Sequence, residues 1–290
     1  MRKYTIISFS LIIGLLLFLL FYLSSYGIKT NKFNALINEK IKDFDQNLFL
    51  ETKDVFLKLR LKDRSIKILT SNSNIFAGKK FIELHKIEIN IDLIKFLKKQ
   101  NSIKSVEIAT KENSIKDLAD FINSYKFNLK QFIISNQIEK GKAKIAANIY
   151  FNKENQNNYE YKVIGEIKEA KLNIINKVSI DNINFNFNIE NENFVFENIN
   201  FKYDNVEFDS KKTTIEKLKN IFKVNGNLNS KKANVNLDSV LKLFNLNFDF
   251  LNQDQILLET NNNFSFNIDA KRQVQDLNYN SNLIFDKIII

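Results

Sequence analysis

Residues 180–208 read IDNINFNFNIENENFVFENINFKYDNVEF, and the alternation inside them decides the fold. Ile183, Phe185, Phe187 and Ile189 are separated by Asn184, Asn186 and Asn188. Phe194 and Phe196, then Ile199, Phe201 and Tyr203, run through the pattern again. A period of 2 gives an extended strand one apolar and one polar side, whereas on a helix the same Phe residues would point in all directions. Asn is a poor strand former, so here it reads as a solvent-facing spacer. Most of the chain restates the pattern in other letters, and the question of function becomes what covers the apolar side.

Toward the C-terminus, Leu246, Phe248 and Phe250 alternate, as do Phe264, Phe266 and Ile268. Lys223–Leu228 and Lys232–Leu237 read as strands, Thr213–Phe222 as a short helix or a strand connection, and Asp238–Phe244 as a short helix capped by Asp238. The chain stops at DKIII (286–290), and three bare Ile residues inside a strand pattern predict a longer natural chain. Toward the N-terminus, the expected strands are Ala170–Asn176, Tyr159–Glu166, Lys142–Asn152 and Gln131–Gln137. Before them, SIKDLADFINSY (114–125) changes to helical spacing, with Ser114 as N-cap and Asp117 in the first turn. Val106 and Ile108, then Ile87, Ile89 and Ile91, mark strands joined by a short helical connector from Leu93 to Lys99. Val55, Leu57, Leu59 and Leu61 alternate too, followed by Ile66 and Ile68, with turn signals at Ser71–Asn74 and Gly78.

Two segments at the N-terminus break from the β pattern. Arg2 and Lys3 precede an uncharged run from Tyr4 to Ile28 whose centre, Ile6 to Leu23, is rich in Leu, Ile and Phe. About twenty apolar residues span a bilayer core as a helix, and Tyr4, Tyr22 and Tyr26 flank the run where interfacial rings belong. The run is long for a cleaved signal peptide, although Ser25 and Gly27 are small residues near a possible cut. Under either reading the bulk of the chain is exported. In NKFNALINEKIKDFD (31–45), Phe33, Leu36, Ile37 and Ile41 share a helix face. That helix either plugs the near end of the β region or lies on the headgroups. The expected domains are an anchor (1–28), a β region with short helices (29–125) and a continuing β region (126–290).

The composition excludes several classes. There is no Cys, no Trp and no Pro, and Gly numbers 6, so disulfides, thiolate metal sites and Gly-rich phosphate loops are ruled out. His85 is the one histidine, which leaves no catalytic triad and no His/Cys metal set. Asp43, Asp45, Glu51 and Asp54 lack calcium-loop spacing. An enzyme is not expected, nor any cofactor. The net charge of +10 invites nucleic acid or anionic membranes. The Lys residues, however, are spread over outward strand positions, and FKYDNVEF (201–208) has no basic residue on its apolar side, so nucleic acid is not an expected partner.

The order of the first 125 residues carries a resemblance. An apolar segment is followed by GIKTNKFNALINEKI, then IELHKIEINIDLIKFL, then SIKSVEIATKENSIKDL. The phrase of strand, short connector and strand at Ile87–Leu97 and Ile103–Thr110 resembles the N-terminal region of AsmA-like proteins (the AsmA, TamB and YhdP group), related to the chorein-type bridge lipid-transfer proteins. The resemblance implies an inner-membrane, single-pass protein of a Gram-negative bacterium. Its periplasmic part would be an elongated, curled antiparallel β-sheet with a few short helices, forming an apolar groove that carries phospholipid in outer-membrane biogenesis. The residues expected to face lipid are Ile183, Phe185, Phe187, Ile189, Phe194, Phe196, Phe201, Phe264, Phe266 and Ile268. Period 2 alone fits a closed two-sheet sandwich equally well, and a membrane-anchored scaffold for other envelope proteins is the alternative function.

Overall fold

The computed structural model describes residues 2–31, 34–52, 55–98, 100, 102–125, 128–151, 159–174, 178–203, 206–236 and 255–285. The chain is mostly β: its strands are antiparallel throughout and belong to one sheet, with a few short helices between them. By contact it divides into two compact units, residues 1–111 with 146–161 and residues 112–145 with 162–290.

The first unit opens with helix α1 (Arg2–Ser25) and continues through β1 (Ile28–Thr30), α2 (Asn34–Phe44), β2 (Leu48–Glu51), β3 (Val55–Arg60), β4 (Ser65–Ala77), β5 (Lys80–Asp92), α3 (Leu93–Leu97) and β6 (Ile103–Thr110). Its ladder runs β1-β3-β4-β5-β6, with β2 on the far half of β4. The helical spacing of 31–45 appears as α2, which is tied to β2 by Asn38: its amide donates to Leu50 O and its Oδ1 accepts from Leu50 N–H, both at 2.8 Å. The connector after β5 is α3, capped by Asp92, whose carboxylate accepts from the Ile94 and Lys95 N–H groups. Among the described residues this unit holds most of the buried apolar side chains, including Leu50, Val55, Ala77 and Leu84.

The second unit starts with β7 (Asn113–Ser114), α4 (Ile115–Tyr125) and α5 (Leu129–Gln137), then enters β8 (Ile138–Phe151) and β9 (Tyr159–Ile174). The second half of β8 and the first three residues of β9 belong to the first unit. The meander goes on through β10 (Val178–Glu190), β11 (Asn193–Tyr203), β12 (Val206–Leu218), β13 (Ile221–Asn236), β14 (Gln255–Ile268) and β15 (Val274–Phe285), each strand pairing with its sequence neighbour. Consecutive pairing of this kind needs only hairpin connections.

Four expectations change. Gln131–Gln137 is helical, not extended: Leu129, Phe132 and Ile133 fall at i, i+3 and i+4, a helix period that the run of apolar letters at 132–134 conceals. Ser71–Asn74 does not end a strand, because β4 runs straight through it with Asn72 at positive φ (50°). Tyr159–Glu166 and Ala170–Asn176 are one strand, β9, whose described part ends at Ile174, whereas Thr213–Phe222 takes its strand-connection reading as the end of β12, a turn and the start of β13. Lys223–Leu228 and Lys232–Leu237 are one strand, β13, whose described part ends at Asn236. The expected elements at Asp238–Phe244 and Leu246–Phe250 lie outside the described residues, as does the terminal run 286–290.

Helix α1 is apolar, and its exposed side chains include Phe9, Leu11, Leu15, Leu17, Phe18 and Phe21 at 60–67 %. Among the described residues no helix is long and apolar enough to cross a membrane.

Candidate functional site

Strand register converts the alternating letters into continuous apolar rows. In the second unit Val163 pairs with Ile189, Ile189 with Phe194, Phe194 with Ile215, Ile215 with Val224 and Val224 with Phe266, so one row crosses β9 to β14. The row beside it is Gly165, Phe187, Phe196, Thr213, Gly226, Phe264 and Tyr279. Directly opposed side chains share one face of a sheet, so Phe185, Phe187, Ile189, Phe194, Phe196, Phe264, Phe266 and Ile268 lie on the same side. Phe185 sits 6.2 Å from Phe187 and 5.8 Å from Phe196, and Phe264 lies 6.0 Å from Phe266, measured between ring centroids.

Ile183 and Phe201 reach that face by a device the alternation does not announce. β9, β10, β11, β12 and β13 each carry one extra residue, a bulge, where the ladder shifts register. At each bulge the inward residues are three apart instead of two: Ile167 and Ala170, Ile180 and Ile183, Phe196 and Ile199, Ser210 and Thr213, Ser230 and Ala233. An extra residue resets the phase, so both flanking side chains stay on the apolar side, and it bends the strand. Positive φ at Glu169 (51°), Asn182 (51°) and Asn198 (55°) marks the first three. Asn and Asp tolerate this left-handed region better than most residues, which explains the Asn at two of them. Beyond its bulge, Phe201 stacks on Phe208 at 5.2 Å.

The Asn residues therefore do more than separate Phe residues. Asn184 Oδ1 accepts from the Glu169 N–H at 2.9 Å, while its amide donates to Asn182 O at 2.7 Å and to Asn200 Oδ1 at 2.9 Å. A bulge frees backbone groups from the ladder and they require partners. One side chain thus serves groups on three neighbouring strands. Spacing of three between apolar letters, as in IKEA, IDNI and FENI, is the sequence signal that would have located these bulges.

Two glycines set how high the aromatic rings stand. A Cβ on Gly226 would come within 2.6 Å of the Phe264 ring and 2.7 Å of Thr213 Oγ1. A Cβ on Gly165 would meet the Phe187 ring, with Cε1 at 2.6 Å. Each ring lies down over the bare backbone of its directly paired neighbour, an arrangement that protects strand glycines.

The first unit has its own apolar row, which reading from 180–208 outward did not single out. Ile28, Leu57, Ile68, Ile89, Val106 and Ile149 pair in succession across β1, β3, β4, β5, β6 and the second half of β8. It is aliphatic where the second unit's rows are rich in Phe. Around Asn72 of β4, where φ is positive, two buried hydroxyls, Thr70 Oγ1 and Ser73 Oγ, are hydrogen-bonded to each other at 2.8 Å.

The reverse side of each unit is charged. In the first, Lys67 Nζ meets Glu88 at 2.7 Å, and Lys86 Nζ meets Glu88 at 3.9 Å and Glu107 at 2.7 Å. Burial pushes the Glu88 carboxyl up, but hydrogen bonding and charge from Lys67, with help from Asn90 and Lys86, leave it below the ordinary glutamate value. In the second, Glu207 bridges Lys202 at 3.0 Å and Lys231 at 3.2 Å, and those two lysines hold its carboxyl low. Such cross-strand pairs occupy many of the lysines behind the net charge of +10.

Among the described residues no group of His, Asp and Glu is placed to hold a metal ion. Comparison of the chain with family models, with curated protein sequences and with solved structures returns no match.

Proposed function

We propose that the apolar face carries lipid: an inner-membrane protein, anchored by α1, passes phospholipid acyl chains along its β-sheet through the periplasm, in the manner of the AsmA-like proteins that its N-terminal 125 residues resemble. The observation that carries this reading is a broad apolar face that no second sheet among the described residues covers. Val163, Ile189, Phe194, Ile215 and Phe266 are half-buried rather than buried. All the described strands belong to one sheet, which leaves no second sheet among them to form a two-sheet sandwich. A continuous apolar patch of this extent marks a binding surface.

Acyl chains fit because the face is long, greasy and repetitive. Neighbouring positions are nearly equivalent in energy, so a chain slides from row to row with its headgroup left in water. No acid, base or nucleophile is needed. The rings laid over Gly165 and Gly226 keep the face low, and bulges bend the strands around whatever they hold. The elongated, curled groove belongs to this proposal. So does the anchor, which is read from the uncharged run Tyr4–Ile28 and the rings of Tyr4, Tyr22 and Tyr26 that flank it.

Native mass spectrometry with lipid extraction of the chain purified from a Gram-negative host membrane tests the reading. Co-purifying phospholipids that disappear in the Phe185→Asp/Phe187→Asp double variant, while it remains folded and membrane-inserted, are expected. A folded, lipid-free wild-type chain would overturn lipid carriage and leave a scaffold role.

A further inference from the structure

Where the second unit's rows reach β14 and β15, their apolar side turns polar. Register carries the Phe264 row onto Tyr279, and the next pair on the same side is Asn262 with Ser281. Thr260, two residues back along β14, pairs with Ser230 of β13. Asn262 is only 8 % exposed and Ser230 is 5 %, whereas Tyr279, the last described residue of its row, is 58 % exposed. Polar groups set into an apolar face cost stability unless they are hydrogen-bonded, and here they bond to one another.

The direction of those bonds is fixed by one backbone carbonyl. Leu228 O can only accept, so the atom of Asn262 that meets it at 2.7 Å is Nδ2. The same nitrogen donates to Thr260 Oγ1 at 3.0 Å, and Thr260 Oγ1 donates onward to Ser230 Oγ at 3.1 Å. Asn262 Oδ1 is left to face β15, where it lies 2.8 Å from Tyr279 Oη and 2.6 Å from Ser281 Oγ. An amide oxygen has lone pairs and no proton, so both hydroxyls donate to it. Each has one proton and has spent it. What Tyr279 and Ser281 offer a ligand is therefore lone pairs alone.

We propose that this pair is a selectivity site of the apolar face. It accepts a hydrogen bond from the polar end of a bound lipid, and so favours lipids that carry a donor there, a hydroxyl or a protonated amine. The inference rests on the lipid reading above and adds which lipids the face prefers. A headgroup with acceptors only sets oxygen against oxygen, and a fully alkylated ammonium has no N–H to give. A purely structural cluster would hold Asn262 equally well but would be blind to the headgroup.

Native mass spectrometry of the full chain, delipidated in detergent and then equilibrated with equimolar lipid pairs of matched acyl chains, tests the selection. Phosphatidylglycerol competes with phosphatidylmethanol, which has the same charge but no hydroxyl. Phosphatidylethanolamine competes with phosphatidylcholine, which is also zwitterionic but has no N–H. The donor-bearing member of each pair should be enriched about 2- to 10-fold, the ratio that one net hydrogen bond supplies. Tyr279→Phe and Ser281→Ala each leave the other hydroxyl on Asn262. Each should bring both ratios toward 1, with circular dichroism and total bound lipid unchanged. Equal uptake within both pairs by the wild-type chain would overturn the selection and leave lipid carriage standing, as would ratios that neither variant moves. A wild-type chain that takes up no lipid at all would overturn carriage, and this inference with it.

Discussion

Replacing Gly226 by Val tests whether the Phe264 ring lies flat on the sheet. Gly226 sits mid-strand with ordinary strand geometry, so local rules favour the change: Val has the higher strand propensity, and replacing Gly contributes roughly 0.5–1 kcal/mol. The register opposes it. A Cβ at 226 lands 2.6 Å from the Phe264 ring and 2.7 Å from Thr213 Oγ1, both inside any real contact distance. The ring must stand up, and overpacking of this kind costs about 1–3 kcal/mol. Counted instead as area, returning to solvent about half of the roughly 150–250 Å² that a Phe buries costs about 2–3 kcal/mol at 25 cal/mol per Å², the same cost by another route. The opposing effects leave a net loss of about 1–3 kcal/mol. Hydrogen exchange of the β13 and β14 amides reads it as roughly 5- to 150-fold faster local opening, and avoids treating a two-unit chain as two-state. In a Phe264→Ala background the obstacle is gone and the same Gly226→Val change should be neutral or stabilising. Slower exchange in Gly226→Val with Phe264 present would refute the flat-ring geometry.

Asn182 holds a left-handed backbone (φ 51°) at the β10 bulge. Asn182→Val should cost about 1–2 kcal/mol, whereas Asn182→Gly should be nearly neutral, as judged by exchange of the β9–β10 amides. Lys67→Met removes the 2.7 Å partner of the nearly buried Glu88 and should destabilise the first unit by about 1–2 kcal/mol at neutral pH in urea titrations of the detergent-solubilised chain. Glu88 has a folded pKa below its unfolded value, so its contribution is complete above the ordinary glutamate range and is lost as pH falls through the lower folded value. The wild-type advantage over Lys67→Met should therefore shrink in acid; a difference that grows there would contradict the assignment.

Strand identity was legible in the letters because a side-chain period of 2 is a local property, set by the backbone of each residue and its neighbours. Ile183–Ile189, Phe194–Phe196 and Phe264–Ile268 are in strands on that ground alone, as are the helices at 34–44, 93–97 and 115–125 on their own period. The lack of Cys, the single His and the scarcity of Gly likewise excluded whole classes of chemistry by count. Where local signals were mixed, as in the three consecutive apolar residues at 132–134, strand and helix could not be told apart, and packing of Ser135 against Asn123 decided for the helix.

Register is different, because it is a relation between strands. Alternation says that Ile189 has an apolar side but not that it faces Val163 and Phe194, nor that Phe264 settles over Gly226. Those facts depend on which residue opposes which, and each bulge changes that count by one. A bulge is stabilised by partners far along the chain, as Asn184 serves Glu169 and Asn200. The sequence by itself determined which side of each strand is apolar; only the tertiary structure joined those sides into rows, because hydrogen-bond pairing between distant segments sets the phase that no single strand contains.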